Sequence, residues 1–382
     1  MKLNFGMVGG AGGFIGDVHR HAALMDDLAI LKAGCFSRNA ERNHSYAEKW
    51  NVTDSGRVYA NWQEMAEKES QREDGIDFVS ITTPNDTHYP IAKCFLEHGI
   101  HVMCDKPLAL NAQQGHELAA LAKEKNLLFG VTYTYTGYAM IRQAREMIDA
   151  GEIGKLTCIQ GEYPQEWLAV SLVSDTSEQA TWRHDPARSG ASGCCADIGT
   201  HVECLIAAMT GLHPQRVIAR FDRIPKDVPL ETNAQIMVDF DGGIPGMIWT
   251  SQVAMGHETE LTVRIFGEKG SIEWSHLRPW ELRVTRINQP PQIYTTNRDY
   301  LYPAAKDLCR LPSGHIEGFY EAFGNLYRGF CMNLLSVKTG SDAGSFRYPT
   351  VDAGVKGIEF VDACLESNAN NNCWVTVGAK QE

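Results

Sequence analysis

Three groups of residues in this chain of 382 have types and spacings suited to chemistry. Val8-Gly9-Gly10-Ala11-Gly12-Gly13-Phe14-Ile15-Gly16 carries five glycines where an apolar run passes into a helix-like stretch. Glycines let backbone approach a pyrophosphate closely, and a helix N-terminus adds amides and a positive dipole end. Lys106, followed by Pro107, ends a second apolar run, and Asp197 stands four residues before His201. Oxidising a secondary alcohol means losing a hydride from carbon and a proton from oxygen. A histidine, with an unperturbed pKa of ~6.5, can take that proton near neutral pH. A lysine can hold the charge developing on oxygen, and the proline behind it biases its backbone toward an extended form. A spacing of four puts Asp197 and His201 on one face of a helix. The plainer readings are a solvated lysine, an aspartate capping a helix and a packing histidine. The residues by themselves leave Lys106 and His201 able to exchange acid and base roles.

The elements that must position these groups are legible as alternating patterns. Leu3–Val8, Ala29–Phe36, Ile76–Thr82, Ile100–Cys104 and Leu127–Thr132 read as strands. Helical stretches at Ile15–Met25, Ala40–Trp50, Pro90–His98 and Ala112–Lys125 separate them. Apolar, non-alternating strands that alternate with helices mean a parallel sheet covered on both faces. After Val131 the style changes. A helix at Met140–Ala150 precedes strands at Leu156–Tyr163, Val217–Phe221, Gln235–Phe240, Met247–Val253, Leu261–Phe266 and Leu282–Thr285. Most are linked by short turn segments such as Gly267-Glu268-Lys269-Gly270, which predicts an antiparallel sheet. A helix at Ala196–Met209 interrupts them, Asn288–Gly314 is irregular, and helices at Glu317–Leu335 and Val351–Asn368 follow. The expected fold class is therefore α/β. It comprises an N-terminal Rossmann doubly wound parallel sheet over residues 1–132 and an α+β domain with a mostly antiparallel open sheet over 133–382.

Composition narrows the partners. Lys+Arg is 35 against 47 Asp+Glu, a net charge of −12, which argues against nucleic acid and against a polybasic membrane surface. Local anion binding stays open, because backbone amides need no net positive charge. No apolar stretch approaches the ~20 residues that span a bilayer, and the start of the chain reads as a strand rather than a signal segment. Eleven scattered cysteines with no C-x-x-C fit reduced thiols in a cytoplasmic protein. The histidines show no metal-ligand spacing, so no metal is expected; His19 and His21 read as flanking the first helix toward a cofactor end or solvent.

The glycine loop departs from strict G-x-G-x-x-G. Counting back from Gly16 gives Gly13 and then Ala11, so Gly9 or Gly10 serves only in a loop one residue longer. The second strand ends Gly34-Cys35-Phe36-Ser37-Arg38 without the acidic residue that binds adenosine ribose hydroxyls. Ser37 and Arg38 can receive a 2′-phosphate; equally, Ser37 can cap the next helix and Arg38 can be solvated or stack on adenine. Both NAD and NADP stay open as cofactors.

Three further motifs join the loop: Ile81-Thr82-Thr83-Pro84-Asn85-Asp86-Thr87-His88, Cys104-Asp105-Lys106-Pro107-Leu108 and Asp197-Ile198-Gly199-Thr200-His201. Together, over essentially the whole chain, they resemble the glucose–fructose oxidoreductase / inositol dehydrogenase / MocA family. Asp105-Lys106-Pro107 stands where the family has E-K-P. Phe14 to Arg20, Glu162 to Trp167, Trp182 to Pro186 and Gly314 to Gly318 look like the subgroup acting on sugars and cyclic polyols. The resemblance implies hydride transfer between a secondary alcohol of a sugar, glycoside or cyclic polyol and NAD(P). Catalysis would fall to Lys106, Asp197 and His201, with His201 favoured as the base and Asp197 binding a substrate hydroxyl or orienting the lysine. Gly9, Gly10, Gly12, Gly13, Phe14, Ile15, Ser37, Arg38, Thr83, Pro84, Asn85, His88, Asp105 and Lys106 would meet the cofactor. Lys106, Tyr135, Tyr163, Gln165, Arg183, Asp197, His201 and His315 would meet the substrate. It also implies a homodimer or homotetramer built on the exposed sheet face. The alternatives are an inositol dehydrogenase, a relative that cleaves glycosides through transient oxidation, and a non-catalytic dinucleotide sensor.

Overall fold

A computed structural model describes residues 1–174, 185–344 and 346–378. The chain forms two compact units, and it passes between them more than once. The first comprises 1–109, 113–137 and 319–355; the second comprises 110–112, 138–318 and 356–382.

The first unit holds β1 (Leu3–Gly9), α1 (Phe14–Leu24), β2 (Ala29–Cys35), α2 (Ala40–Lys49), α3 (Trp62–Ser70), β3 (Phe78–Thr82), α4 (Asn85–Glu97), β4 (His101–Cys104), α5 (Ala112–Glu124) and β5 (Phe129–Val131). The strands are parallel in the order β2-β1-β3-β4-β5. Val58 adds a single parallel bridge to Gly34 on the outer side of β2. The order thus reads as the Rossmann 3-2-1-4-5-6 with its third strand reduced to one residue. Every residue of β3 is buried. Successive side chains of a strand point to opposite faces, so the sheet is covered on both. Phe5 and Phe78 stack at 5.3 Å across β1 and β3.

A proline fits a helix's first turn, and the sequence pattern starts its third helix at Pro90. The structure starts it at Asn85, with Pro90 inside and exposed. The helix α3 has little signal in the sequence: its nine residues carry few apolar side chains, and Met65 and Ala66 supply the buried ones.

β4 carries a pH-sensitive packing. His101 Nδ1 accepts the Leu128 amide at 2.8 Å, a bond only a proton-free nitrogen can make. Burial, with Lys338 adding to it and Asp77 opposing, pushes its pKa from 6.5 down to about 4. The folded state therefore binds fewer protons than the unfolded chain between those values, and stability falls as pH drops from 6.5 toward 4. His101→Asn keeps an acceptor without a titrating ring. Urea titrations should show about 2 kcal/mol less acid-induced loss over that window than in the parent; equal slopes would reject the assignment.

The second unit holds α6 (Ala139–Asp149), β6 (Leu156–Pro164), α7 (Trp167–Ser174), α8 (Pro186–Ser189), α9 (Thr200–Thr210), β7 (Pro214–Asp222), β8 (Asn233–Phe240), β9 (Ile244–Ser251), β10 (Thr262–Gly267), β11 (Gly270–Ser275), β12 (Glu281–Arg286), β13 (Gln292–Thr295), α10 (Pro303–Lys306), most of α12 (Val351–Ala369) and β14 (Val375–Thr376). Its nine strands run β13-β12-β11-β10-β6-β9-β8-β7-β14, antiparallel except for the β6–β9 pair. Burial alternates along β8, so one face packs and the other is open.

The helix α11 (Phe319–Thr339) returns to the first unit. Phe323, Tyr327, Phe330 and Leu334 recur at helical spacing and enter the core cluster that contains Phe5, Phe78 and Met103. At the 134–137 turn, a Cβ on Gly137 would lie 2.1 Å from the Ala322 carbonyl oxygen, so only glycine admits the approach of α11 there.

Candidate active site

The glycine loop sits at the switch point of the first sheet, beyond the ends of β1 and β3. Gly9, Gly10 and Gly12 have φ of 86°, 91° and 86°, the left-handed region that favours glycine. A Cβ on Gly16 would lie 2.3 Å from the Gly10 oxygen, so α1 starts in direct contact with the loop. In front of Gly13, by contrast, an added Cβ meets nothing within 4 Å, and no side chain caps α1. The result is an open cradle facing a helix N-terminus whose amides are not spent on a cap, which suits a pyrophosphate. Phe14, at the start of α1, is 63% exposed and stacks on Phe319 at 6.0 Å; Ile15 is half-buried.

At the end of β2, Asn43 accepts the Phe36 and Ser37 amides at 2.7 and 3.3 Å. Ser37 Oγ accepts the Asn39 amide at 3.1 Å, and Asn39 is the residue whose side chain caps α2. Arg38 is exposed, and Arg42 Nη1 is the one heavy atom within 4 Å of a Cβ built on Gly12. Arg42 was not among the sequence candidates.

Lys106 follows β4 and is half-buried, and the Lys106–Pro107 peptide is cis. Asp105 holds this turn: its Oδ1 accepts the Lys106 amide and the Thr132 hydroxyl, each at 2.9 Å. Burial raises the Asp105 pKa, but His19, Lys106 and His88 outweigh it and keep the carboxyl well below the usual carboxylate range. His19 Nε2 is 3.7 Å from Asp105 Oδ1. His19 Nδ1 lies 2.7 Å from Tyr327 Oη and 3.1 Å from Ser80 Oγ. His19 thus does not point to solvent; it is buried on the helix face of Gly16, Ala22 and Ala23. Its spacing from Gly16 and Ala23 was the available signal. Thr83, Pro84 and Asn85 follow β3 and are half-buried, whereas His88 is fully buried with both ring nitrogens against backbone carbonyls.

The second unit gathers another group. Cys195–Gly199 forms a π turn, with the Thr200 amide bonded to the Cys195 oxygen, and runs into α9. Asp197 lies in the π turn and His201 in the first turn of α9. Their four-residue spacing is therefore not that of a regular α-helix, and such turns recur at functional sites. Glu231, 6% exposed, grips the start of this segment. It accepts the Ser192 hydroxyl at 2.6 Å, the Gly193 amide at 2.8 Å and the Cys195 amide at 3.1 Å. Burial raises the Glu231 carboxyl's pKa, and those donors oppose the shift. Gln252 Nε2 donates to Asp197 Oδ2 at 2.7 Å, and the Tyr163 ring lies 6.3 Å from His201. Gln165, on the same strand end as Tyr163, is buried and its backbone pairs with Ser251 and Ala254. Glu231 and Gln252 carried no signal in the sequence, because they reach the site only through strand pairing.

Tyr135 is buried in the first unit against Phe319 at 6.5 Å. His315 is exposed, and Glu317 accepts the Arg310 and Leu311 amides at 2.6 and 2.8 Å. Arg183 lies outside the described residues. Among the described residues no three His, Cys, Asp or Glu side chains gather as a metal site, and the cysteines are free thiols. No described helix is long and apolar enough to cross a membrane.

A Rossmann sheet with an open glycine cradle at its switch point, and a lysine at a neighbouring strand end, defines a dinucleotide-dependent oxidoreductase. Residues 3–133 match the model of the oxidoreductase family with an NAD-binding Rossmann fold, and residues 141–273 match the GFO/IDH/MocA C-terminal domain. The chain belongs to the Gfo/Idh/MocA family of oxidoreductases, with that family's NAD-binding Rossmann fold. It is 35% identical to the oxidoreductase YfiI of Bacillus subtilis over 98% of this chain and 96% of that one. The inositol dehydrogenase homolog of Azotobacter vinelandii, solved with NAD+, is 34% identical with a TM-score of 0.94, covering 98% of this chain and 97% of that one. Levoglucosan dehydrogenase, solved with NADH and levoglucosan, is 26% identical with a TM-score of 0.84, covering 99% and 100%.

Proposed function

We propose that the protein oxidises a secondary alcohol of a sugar, glycoside or cyclic polyol. Lys106 polarises the oxygen and His201 takes its proton. The observation that carries this reading is the held Lys106 turn, whose backbone Asp105 fixes beside the switch-point crevice. The bound nicotinamide would supply the hydride acceptor; Gly9, Gly10, Gly12 and Gly13 would cradle its pyrophosphate. Phe14, Ile15, Thr83, Pro84 and Asn85 would border the dinucleotide, and Ser37, Arg38 and Arg42 would meet the adenosine end. Asp197, held by Gln252, would bind a substrate hydroxyl, and Tyr163 would offer a ring to the C–H face of a sugar. Support for the substrate class comes from relatives solved with myo-inositol and with levoglucosan.

The test is a panel of sugars and cyclic polyols with NAD and with NADP, followed by reduced-nicotinamide absorbance. Net accumulation of reduced cofactor is expected with at least one polyol. Substrate consumption without accumulation would point to glycoside cleavage, and tight cofactor binding with no turnover to a sensor.

We also infer a homo-oligomer in the cytoplasm, assembled on the open face of the nine-stranded sheet. Met237 and Met247 pair across β8 and β9 on that face and are 58% and 47% exposed. The Met237→Lys, Met247→Lys double variant should elute at single-chain mass on gel filtration with light scattering, while the parent elutes as a dimer or tetramer. A parent already at single-chain mass would overturn the inference.

A further inference from the structure

We propose that His88 is a positioning residue that ties the Lys106–Pro107 turn to the loop after β3 and so aims Lys106. The ring is fully buried on α4. Its Nδ1 lies 2.7 Å from the Pro107 carbonyl oxygen and its Nε2 lies 2.8 Å from the Thr83 carbonyl oxygen.

The geometry makes one ring a crosslink between the loops that leave β3 and β4, two neighbouring strands of the parallel sheet. Asp105 holds the Lys106 amide and His88 holds the Pro107 carbonyl, so the lysine backbone is fixed on both sides of its α-carbon. His88 is thus a positioning residue rather than a cofactor contact. This role rests on the reading of Lys106 given above.

The experiment assays the His88→Asn and His88→Gln variants of the full chain with myo-inositol and levoglucosan. Both should lose about 10- to 100-fold in kcat with little change in KM for NAD. Wild-type kcat in both, with Lys106→Ala inactive, would overturn the positioning role alone. A Lys106→Ala variant that keeps its turnover would sink the Lys106 reading instead.

Discussion

Replacing Lys106 with alanine is expected to lower kcat by about 10²- to 10³-fold, the usual cost of removing one preorganised donor from a developing oxyanion. The dissociation constant for NADH, measured by fluorescence titration, should stay close to that of the parent. The separation follows from where the residue stands. The glycine loop and the first turn of α1 make the anion cradle, and both lie on segments that Lys106 does not support. Lys106 instead extends from a turn held by Asp105 and His88, which the substitution leaves intact. The loss therefore belongs to the chemical step. Lys106→Arg should recover little, because a planar guanidinium differs in shape and reach from a compact ammonium. An alanine variant with more than half the parent's turnover would remove Lys106 from the mechanism.

His201→Asn should cost about 10²- to 10⁴-fold in kcat, the range for loss of a positioned general base. The more telling readout is the pH profile. In the parent, kcat/KM should fall on the acid side as the base becomes protonated. In the variant that limb should disappear, leaving a residual rate that does not change with pH as water takes the proton. A variant that keeps the acid limb would assign the base elsewhere and would refute the role proposed for His201. The two variants also separate the roles that the residue types left interchangeable, since only loss of the base removes the acid limb. Asparagine is chosen because α9 is packed closely around this position: His201 is 7% exposed, and Cys204 and Leu205 on the next turn are buried.

Much of the first unit was legible in residue order. Short apolar strands alternating with amphipathic helices admit few arrangements, because parallel strands need crossover connections and those crossovers cover both faces. The glycine cradle was legible for the same local reason: positive φ and close backbone approach demand glycine at particular positions. The extra loop residue that broke the strict motif is accommodated by Gly9 and Gly10, both in left-handed conformations. Lys106, Asp197 and His201 were legible as residue types suited to alcohol oxidation.

What residue order could not convey is what depends on distant segments meeting. The apolar spacing of Phe323, Tyr327 and Phe330 announces a helix but does not say which core it fills; only the fold returns α11 to the first unit, where Tyr327 meets His19 and Ser80. Glu231 and Gln252 are ordinary polar residues until strand pairing brings them to the π turn that carries Asp197. His88 could be read as lining the cofactor crevice because periodicity places a side chain on a helix face without saying what lies opposite. The structure puts two carbonyl oxygens there. Sequence by itself determined the local conformations and the chemical repertoire, since both follow from single side chains and short spacings. Tertiary structure decided which groups are buried, which are held and by what, because burial and hydrogen-bond partners are properties of the contacts between segments.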